Sequence, residues 1–177
     1  VFKNMSGDLT INVTDSTTSS VSISWNKIDG VTGYQIQTQD ANGNWVDYTY
    51  TGETNVTFSN LQSAYRFPLR IRSYTQNGKN IKWGNFFQIN VATKPSKVSG
   101  VKLSSSDTSV TVKWNKVSRA SGYRIYVYNS SKKSYEFNKS VSNASTVSTK
   151  LTGLKPNKTY KIKVAAYKTA DNIKFVG

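Results

Sequence analysis

Two stretches of this 177-residue chain repeat each other, and this repetition constrains the fold more than any other feature of the sequence. Trp25 and Trp114 lie in matching blocks (SWNK and KWNK) 89 positions apart, and Tyr34 and Tyr123 lie in a second pair (GYQI and GYRI) at the same spacing. A third match, between residues 61–67 and 154–160, has a spacing of 93. The second repeat therefore carries four additional residues, which we place in the turn-rich segment 129–133. Two blocks of this size predict two tandem domains.

The boundary between the repeats is short. Residues 92–97 read ATKPSK, a segment that contains a proline and is too brief to act as a flexible tether. We therefore predict one domain over residues 1–94 and a second domain over residues 95–177.

Both repeats show a period of two residues, which is the spacing of side chains on one face of a β-strand. Apolar and polar residues alternate in segments 21–25 (VSISW), 110–114 (VTVKW) and 160–164 (YKIKV). Asn-Gly and Asp-Gly pairs between such segments favour tight turns, because these residue types tolerate a positive φ. No segment shows the 3.6-residue period of an amphipathic helix. The pattern predicts an all-β fold in which each domain is a sandwich of two antiparallel sheets.

The residue types that carry most enzyme chemistry are missing from this chain. It has no histidine, no cysteine and only 9 Asp and Glu residues, so zinc sites, thiol chemistry and Ser-His-Asp triads have no residues to be built from. Asp29, Asp40, Asp47 and Glu53 lie in or near different predicted loops, which disfavours a catalytic carboxylate pair. No apolar run approaches the roughly 20 residues that cross a bilayer. We predict no enzymatic activity, no catalytic residue, no metal or other cofactor, and no insertion into a membrane.

Three motifs, present in the same order in both repeats, carry a family resemblance. Residues 109–116 (SVTVKWNK), 121–126 (SGYRIY) and 154–164 (LKPNKTYKIKV) resemble strand B, strand C and the approach to strand F of a fibronectin type III domain. The resemblance covers nearly the whole chain and implies two tandem seven-stranded immunoglobulin-like β-sandwiches. It also implies a structural core that includes Trp25, Tyr34, Phe67, Trp114, Tyr123 and Tyr160.

One position of this motif differs between the repeats. In this family a tyrosine near the start of strand F packs in the core, and its hydroxyl forms a hydrogen bond with the backbone upstream. Tyr160 has this place in the second repeat, whereas Phe67 has it in the first and lacks the hydroxyl. We therefore expect Tyr160 to donate this hydrogen bond and the first repeat to lack it.

The second repeat also ends earlier than the first. Residues 173–177 correspond to residues 81–84 with one extra residue, and no counterpart of residues 86–91 follows. We expect the second sandwich to lack its last strand in this chain, which leaves an unpaired sheet edge. The chain is therefore expected to be a fragment whose natural sequence continues after Gly177 with a strand of the alternating kind.

Positive charge is concentrated in the second repeat. The formal net charge is +15, and the residues from Pro95 onward hold +13 of it, with 14 Lys and 2 Arg against 2 Asp and 1 Glu. Strands C and F are neighbours in a fibronectin type III sheet, so alternation along them predicts one exposed face. This face suits an anionic polymer, and the simpler alternative is a solvated surface that resists aggregation. The candidate residues are Arg124, Tyr126, Tyr128, Lys161, Lys163 and Tyr167.

The same face of the first repeat is a weaker candidate for glycan binding. Aromatic rings stack on the apolar faces of sugars, while amides and guanidinium groups meet sugar hydroxyls. Ordinary packing is the alternative, because the aromatic residues of the next strand do not share one parity and some must point inward. The candidate residues are Gln35, Gln37, Arg70, Arg72 and Tyr74, and the aromatic residues of the next strand are Trp45, Tyr48 and Tyr50.

These observations favour a non-catalytic spacer or interaction module of a larger extracellular or cell-surface protein, with the neighbouring domains of that protein as its partners. The alternative is a binding module that holds an anionic cell-wall polymer or polysaccharide through the basic face of the second domain. Nucleic acid is not expected as a partner. The extracellular prediction rests on analogy, since the lysine-, asparagine-, serine- and threonine-rich, cysteine-free repeats resemble those of surface or secreted proteins of Gram-positive bacteria.

Overall fold

The computed structural model describes residues 2–3 and 9–177, and strands are the regular secondary structure found among them. The first repeat contains β1 (Phe2–Lys3), β2 (Thr10–Ser16), β3 (Val21–Trp25), β4 (Gly33–Gln39), β5 (Trp45–Thr51), β6 (Asn55–Phe58), β7 (Arg66–Asn77), β8 (Asn80–Trp83) and β9 (Phe87–Ala92). The second contains β10 (Lys102–Ser106), β11 (Ser109–Lys113), β12 (Gly122–Asn129), β13 (Ser134–Val141), β14 (Ser148–Thr152), β15 (Ile162–Ala170) and β16 (Ile173–Val176). The predicted all-β fold is confirmed.

Each repeat folds into two antiparallel sheets that enclose a core. In the first domain one sheet has the order β1-β2-β3-β6, and the other has the order β5-β4-β7-β8 with β9 also paired to β7. In the second domain the sheets have the orders β10-β11-β14 and β13-β12-β15-β16. The repetition in the sequence is therefore a repetition of topology.

The two domains differ in the pairing of their last strands. In the first domain β8 pairs with residues 74–77 of β7, and β9 pairs with residues 66–71. In the second, β16 pairs with residues 167–170 of β15 and so corresponds to β8. Among the residues that the structure describes, no strand of the second domain corresponds to β9.

Aromatic pairs at matching positions lie at the centre of each core. Trp25 packs edge to face on Tyr34 with ring centroids 5.4 Å apart, and Trp114 makes the same contact with Tyr123 at 5.1 Å. These four side chains are at most 4% exposed, and Phe67 is 6% exposed. Burial of large rings at equivalent places explains why these residue types recur in both repeats.

The two core tyrosines also bind backbone through their hydroxyl groups. The Tyr34 hydroxyl accepts a hydrogen bond from the Ile28 amide at 2.8 Å, and the Tyr123 hydroxyl accepts one from the Val117 amide at 3.0 Å. Each amide lies in the loop that leads into the strand of its tyrosine. In both domains the hydroxyl therefore satisfies a loop amide that is outside the sheet ladders.

The hydrogen bond predicted between the Tyr160 hydroxyl and the backbone upstream is present, but the hydroxyl accepts it from the Lys155 amide at 2.9 Å instead of donating it. The predicted burial of Tyr160 in the core is wrong, because this side chain is half-exposed. Tyr160 precedes β15, which begins at Ile162, so its ring is outside the two-sheet core. Phe67 at the matching position is buried because it already belongs to β7 and is flanked by β9.

The four additional residues of the second repeat are also placed differently from the prediction. From Tyr123 to its partner Val141 the chain has 18 positions, against 17 from Tyr34 to its partner Thr51. One residue is therefore added within the second hairpin. The other three belong to the connection that follows, where residues 142–147 replace residues 52–54.

The domains contact each other through the hairpin β15–β16. Ala170 and Phe175 on this hairpin are buried, and they belong to the same hydrophobic cluster as the core of the first domain. The carboxylate of Asp171, in the turn of the hairpin, accepts hydrogen bonds from the backbone and side-chain amides of Asn90 at 2.6 and 2.9 Å. A guanidinium nitrogen of Arg66 lies 3.9 Å from the same carboxylate.

The segment that connects the domains is itself attached to the first domain. Thr93 is fully buried, and its hydroxyl donates a hydrogen bond to the Gln62 carbonyl at 2.6 Å and accepts one from the Tyr65 amide at 2.9 Å. The Lys94 amide donates a hydrogen bond to the Thr17 carbonyl at 2.7 Å. The connection therefore continues the fold of the first domain up to the start of the second.

Candidate binding surfaces

A basic and aromatic surface covers the outer side of the sheet β13-β12-β15-β16. Tyr126 pairs with Lys163 on β15 and with Phe137 on β13, and Tyr128 pairs with Tyr135. Residues two apart on a strand share one side of the sheet, so Tyr126 and Tyr128 point to the same side. With their partners on the neighbouring strands, they form two adjacent rows that run across the sheet. We call this surface the basic face, and it consists of Arg124, Tyr126, Tyr128, Tyr135, Phe137, Lys161 and Lys163.

The cations of the basic face lie against its rings. The contacts to ring centroids are 5.2 Å for Lys161 on Tyr128, 5.8 Å for Lys163 on Tyr126 and 5.6 Å for Arg124 on Phe137. The rings also pack edge to face in two pairs, Tyr126 with Phe137 and Tyr128 with Tyr135. Each cation–π contact at an exposed site contributes about 0.5–1 kcal/mol. The rings therefore orient the positive groups. Lys161 and Lys163 remain exposed to solvent, whereas Arg124 is half-buried and its Nε is a buried atom without a hydrogen-bond partner.

Tyr167 was expected on this face but is not exposed. It lies on the same side of β15 as Lys163, yet only 3% of its surface is accessible. Its ring occupies the space above Gly122, where a Cβ atom would lie 2.6 Å from the Tyr167 hydroxyl, and the Lys174 ammonium lies 4.7 Å from the ring centroid. Because Gly122 has no side chain, the ring lies down on the sheet instead of standing out from it.

Sequence reasoning missed Tyr135 and Phe137. These rings are 44% and 56% exposed, which makes them more accessible than Tyr126 and Tyr128. They lie on the edge strand β13, whose register shifts at a bulge opposite Ile125 and Tyr126. The alternating segment 134–139 (SYEFNK) carries a signal for an aromatic edge strand, but its pairing cannot be assigned without the position of the bulge.

On the first domain the equivalent side of the sheet is a stack of rings and guanidinium groups. Arg70 contacts the rings of Trp45 and Phe86 at 4.4 and 4.0 Å from their centroids. Arg72 contacts Phe86 and Trp83 at 4.3 and 3.9 Å. The order is therefore Trp45, Arg70, Phe86, Arg72, Trp83, and we call this arrangement the arginine stack.

The glutamines beneath the arginine stack are bound to their neighbours. Nε of Arg70 donates to Oε1 of Gln37 at 2.7 Å, and Nε of Arg72 donates to Oε1 of Gln35 at 2.6 Å. Nε2 of each glutamine in turn donates to Oδ1 of Asp47, at 2.7 and 2.6 Å. The hydrogen bond from Gln37 is the largest cause of the lowered pKa of the Asp47 carboxyl. This network favours packing over glycan recognition, because the amides that would meet sugar hydroxyls already have partners.

Tyr74 belongs to a ring cluster beside the stack. It is half-buried, packs on Tyr50 and Trp83 with centroid distances of 6.0 and 5.5 Å, and lies over Gly33 as Tyr167 lies over Gly122.

The aromatic residues of β5 divide between the two sides of the strand. A bulge after Ile36 lets Trp45 and Tyr50 face the stack. Tyr48 packs on the core ring of Phe58 with centroids 4.5 Å apart, and it remains 45% exposed. One ring of this strand therefore points inward as expected, but sequence parity does not decide which one, because the bulge places Trp45 and Tyr50 on the same side although their parities differ.

Within the part of the chain that the structure describes, no three His, Cys, Asp or Glu side chains are grouped as a metal site requires. The same residues include no helix with the length and apolarity needed to span a membrane.

Comparisons with known proteins identify the family. The family model described as fibronectin type III domain matches residues 8–90 and again residues 94–173. A solved two-domain fibronectin type III segment of chicken tenascin is 18% identical, with a TM-score of 0.46 and coverage of 95% of both chains. The FN1-FN3 domains of chicken CNTN1 are 18% identical, with a TM-score of 0.50 and coverage of 94% of this chain and 65% of that chain. Because the two family matches together span most of its length, this chain belongs to the fibronectin type III family and is a tandem pair of its domains.

Proposed function

We propose that the chain is a non-catalytic spacer and interaction module of a larger extracellular or cell-surface protein, in which it holds neighbouring domains at a set distance. Fibronectin type III domains are generally spacer or interaction modules of multidomain proteins and are typically non-catalytic. The observation that carries the proposal is the contact between the two domains through the hairpin β15–β16. The extracellular setting is supported by the cysteine-free, lysine- and asparagine-rich composition, by analogy with Gram-positive surface proteins.

Several contacts resist bending at the junction. Apolar burial at Phe175 and the charge-assisted hydrogen bonds of Asp171 act together, so a hinge motion has to break both. Burial lowers the pKa of Lys168, and the nearby guanidinium groups of Arg66 and Arg119 act in the same direction. The Asp171 carboxylate lies 3.9 Å from one of these guanidinium groups, that of Arg66. We therefore expect the two domains to move as one body.

Backbone ¹⁵N relaxation and small-angle X-ray scattering test the spacer proposal. For the parent chain we expect one rotational diffusion tensor for both domains and a scattering profile that a single domain orientation fits. Asp171→Ala should loosen the junction and broaden the distribution of orientations. Asn172→Ala is the matched control and should leave the distribution of orientations as in the parent, because Asn172 is exposed in the same turn and also has a positive φ, but forms no hydrogen bond with the first domain among the described residues. Independent tumbling of the two domains in the parent chain would contradict a rigid spacer.

The basic face favours a second function, the binding of an anionic cell-wall polymer or polysaccharide. Its cations are oriented by rings, and Lys161, Lys163 and Arg124 form no ion pair within the described residues. The second domain carries a net charge of +13, so its field attracts polyanions over a distance that salt shortens. The exposed rings of Tyr135 and Phe137 add an apolar platform.

Binding of wall teichoic acid and of an acidic polysaccharide, titrated at several salt concentrations, tests this second function. Affinity should fall as salt rises and be lost when Arg124, Lys161 and Lys163 are all changed to Glu. The matched control changes three exposed lysines of the other sheet to Glu, which alters the net charge equally: Lys102, Lys113 and Lys150. Equal losses in both triple variants would mean that net charge, and not the basic face, determines binding.

A further inference from the structure

A pocket of about 550 Å³ opens at one end of the basic face, between the hairpin β12–β13 and the loop that leads into β15. We call it the end pocket. The rings of Tyr128, Phe137 and Tyr160 line it together with Lys158 and Lys161. Its volume lies in the range of roughly 300–1,000 Å³ that is typical of small-molecule sites.

The end pocket combines ring faces with cations that have no acidic partner. The ammonium of Lys158 lies 5.7 Å from the Tyr160 ring, and that of Lys161 lies 5.2 Å from the Tyr128 ring. Neither lysine forms an ion pair among the described residues. Both ammonium groups are therefore available to an anion that enters the pocket.

Three residues with polar side chains, Ser130, Ser131 and Asn138, also line the pocket. In the described part of the chain, none of these side-chain groups has a hydrogen-bond partner. They can therefore serve a ligand that carries several hydroxyl groups.

One carboxylate limits the charge that the end pocket accepts. Glu136 also lines the pocket, and it is held by Asn129 at 2.9 Å and by Lys132 at 2.6 Å. The hydrogen bond from Asn129 is the largest cause of the lowered pKa of Glu136, and Lys132 adds to it. The charged residues that line the pocket are therefore one carboxylate, Glu136, and two lysines, Lys158 and Lys161, which gives the lining a formal net charge of +1 and favours a monoanionic ligand over a dianionic phosphate.

We propose that the end pocket binds one sugar residue that carries a single carboxylate, a hexuronate. The apolar face of the sugar lies against the rings of Tyr128 and Tyr160, its carboxylate pairs with Lys158 and Lys161, and its hydroxyls meet the serine and asparagine side chains. This proposal rests on the second proposed function for the class of polymer. It does not require the rest of the basic face to contribute.

Titration of the ¹⁵N-labelled 177-residue chain with glucuronate, followed by amide chemical shifts at low salt, tests the proposal. We expect saturable shifts at residues 129–131 and 158–161. Glucose lacks the carboxylate and acetate lacks the sugar, so neither should give saturable shifts at these amides. Lys158→Glu should weaken glucuronate binding by about tenfold or more, because a charged hydrogen bond is replaced by repulsion. Lys155→Glu, an exposed neighbour outside the pocket, should leave the binding unchanged.

Two further variants separate failure of this proposal from failure of the second function. Arg124→Glu and Lys163→Glu, combined, alter the basic face but not the end pocket, so they should reduce polymer affinity and preserve the glucuronate shifts. The proposal is overturned if glucuronate gives no saturable shifts, if acetate reproduces them, or if Lys158→Glu has no effect. Retention of the parent's amide dispersion shows that each variant is folded.

Discussion

Substituting phenylalanine for Tyr123 removes a single hydroxyl from the second domain and keeps the ring that packs on Trp114. The hydroxyl is the acceptor for the Val117 amide at 3.0 Å, and Val117 is only 8% exposed. Without it, a buried N–H group has no partner, and such a loss costs about 1–3 kcal/mol. A central value of about 1.5 kcal/mol lowers the melting temperature of a domain of this size by about 6–12 °C.

Calorimetry of the parent and of Tyr123→Phe measures this effect, and hydrogen exchange at the Val117 amide localises it. We expect faster exchange at that amide in the variant. Tyr160→Phe is the matched control. The Tyr160 hydroxyl accepts a hydrogen bond from the Lys155 amide, which lies on an exposed loop, so water can replace the lost hydroxyl. Its cost should stay below about 0.5 kcal/mol. An unchanged melting temperature for Tyr123→Phe, or an equal loss in both variants, would refute the reasoning.

Three further changes have defined outcomes. The pKa of Asp47 is lowered from its ordinary 3.8, so the stabilisation by the ionised carboxylate is present above that pH and is lost as the pH falls through the pKa of the folded state. The urea midpoints of the parent and of Asp47→Ala should therefore differ at neutral pH and converge in acid. Gly122→Ala places a Cβ against the Val141 carbonyl oxygen and should cost about 1–3 kcal/mol in thermal unfolding, more than Gly33→Ala. Arg72→Ala removes two ring contacts and a hydrogen bond and should cost about 1–2 kcal/mol in urea unfolding, while Arg72→Lys recovers only part of this because lysine lacks the planar guanidinium.

Much of the fold could be predicted because it is encoded locally. Alternation along β3 assigns the buried positions of that strand, and the spacing of Trp25 and Trp114 reveals the duplication without any knowledge of the structure. Features that depend on a residue from another strand could not be predicted. The location of the additional residues in the second repeat depends on the pairing of Val141 with Tyr123. The turn composition around residues 129–133 does not indicate this pairing.

The candidate surfaces were likewise predictable only where local sequence determines them. Alternation assigns Arg124 and Lys163 to one side of the sheet, but it does not predict that Gly122 opposite Tyr167 lets that ring lie flat. The arginine stack requires Phe86, which follows β8 and has no periodic relation to β7. The role of Asp171 in the junction depends on how one domain is oriented on the other, and a single acidic residue in a turn carries no sign of it.

The hairpin that joins the domains has an evolutionary consequence. Tandem domains that fold independently could be exchanged one at a time. Here, however, Phe175 of the second domain is part of the hydrophobic cluster of the first. A substitution on β7 or β9 therefore alters which residues are favoured on the hairpin β15–β16. The contact of Asn90 with Asp171, 81 residues later in the sequence, is an example. Recombination that replaced only one member of the pair would expose apolar surface on the other. We therefore expect the two domains to be duplicated, lost and transferred as a pair.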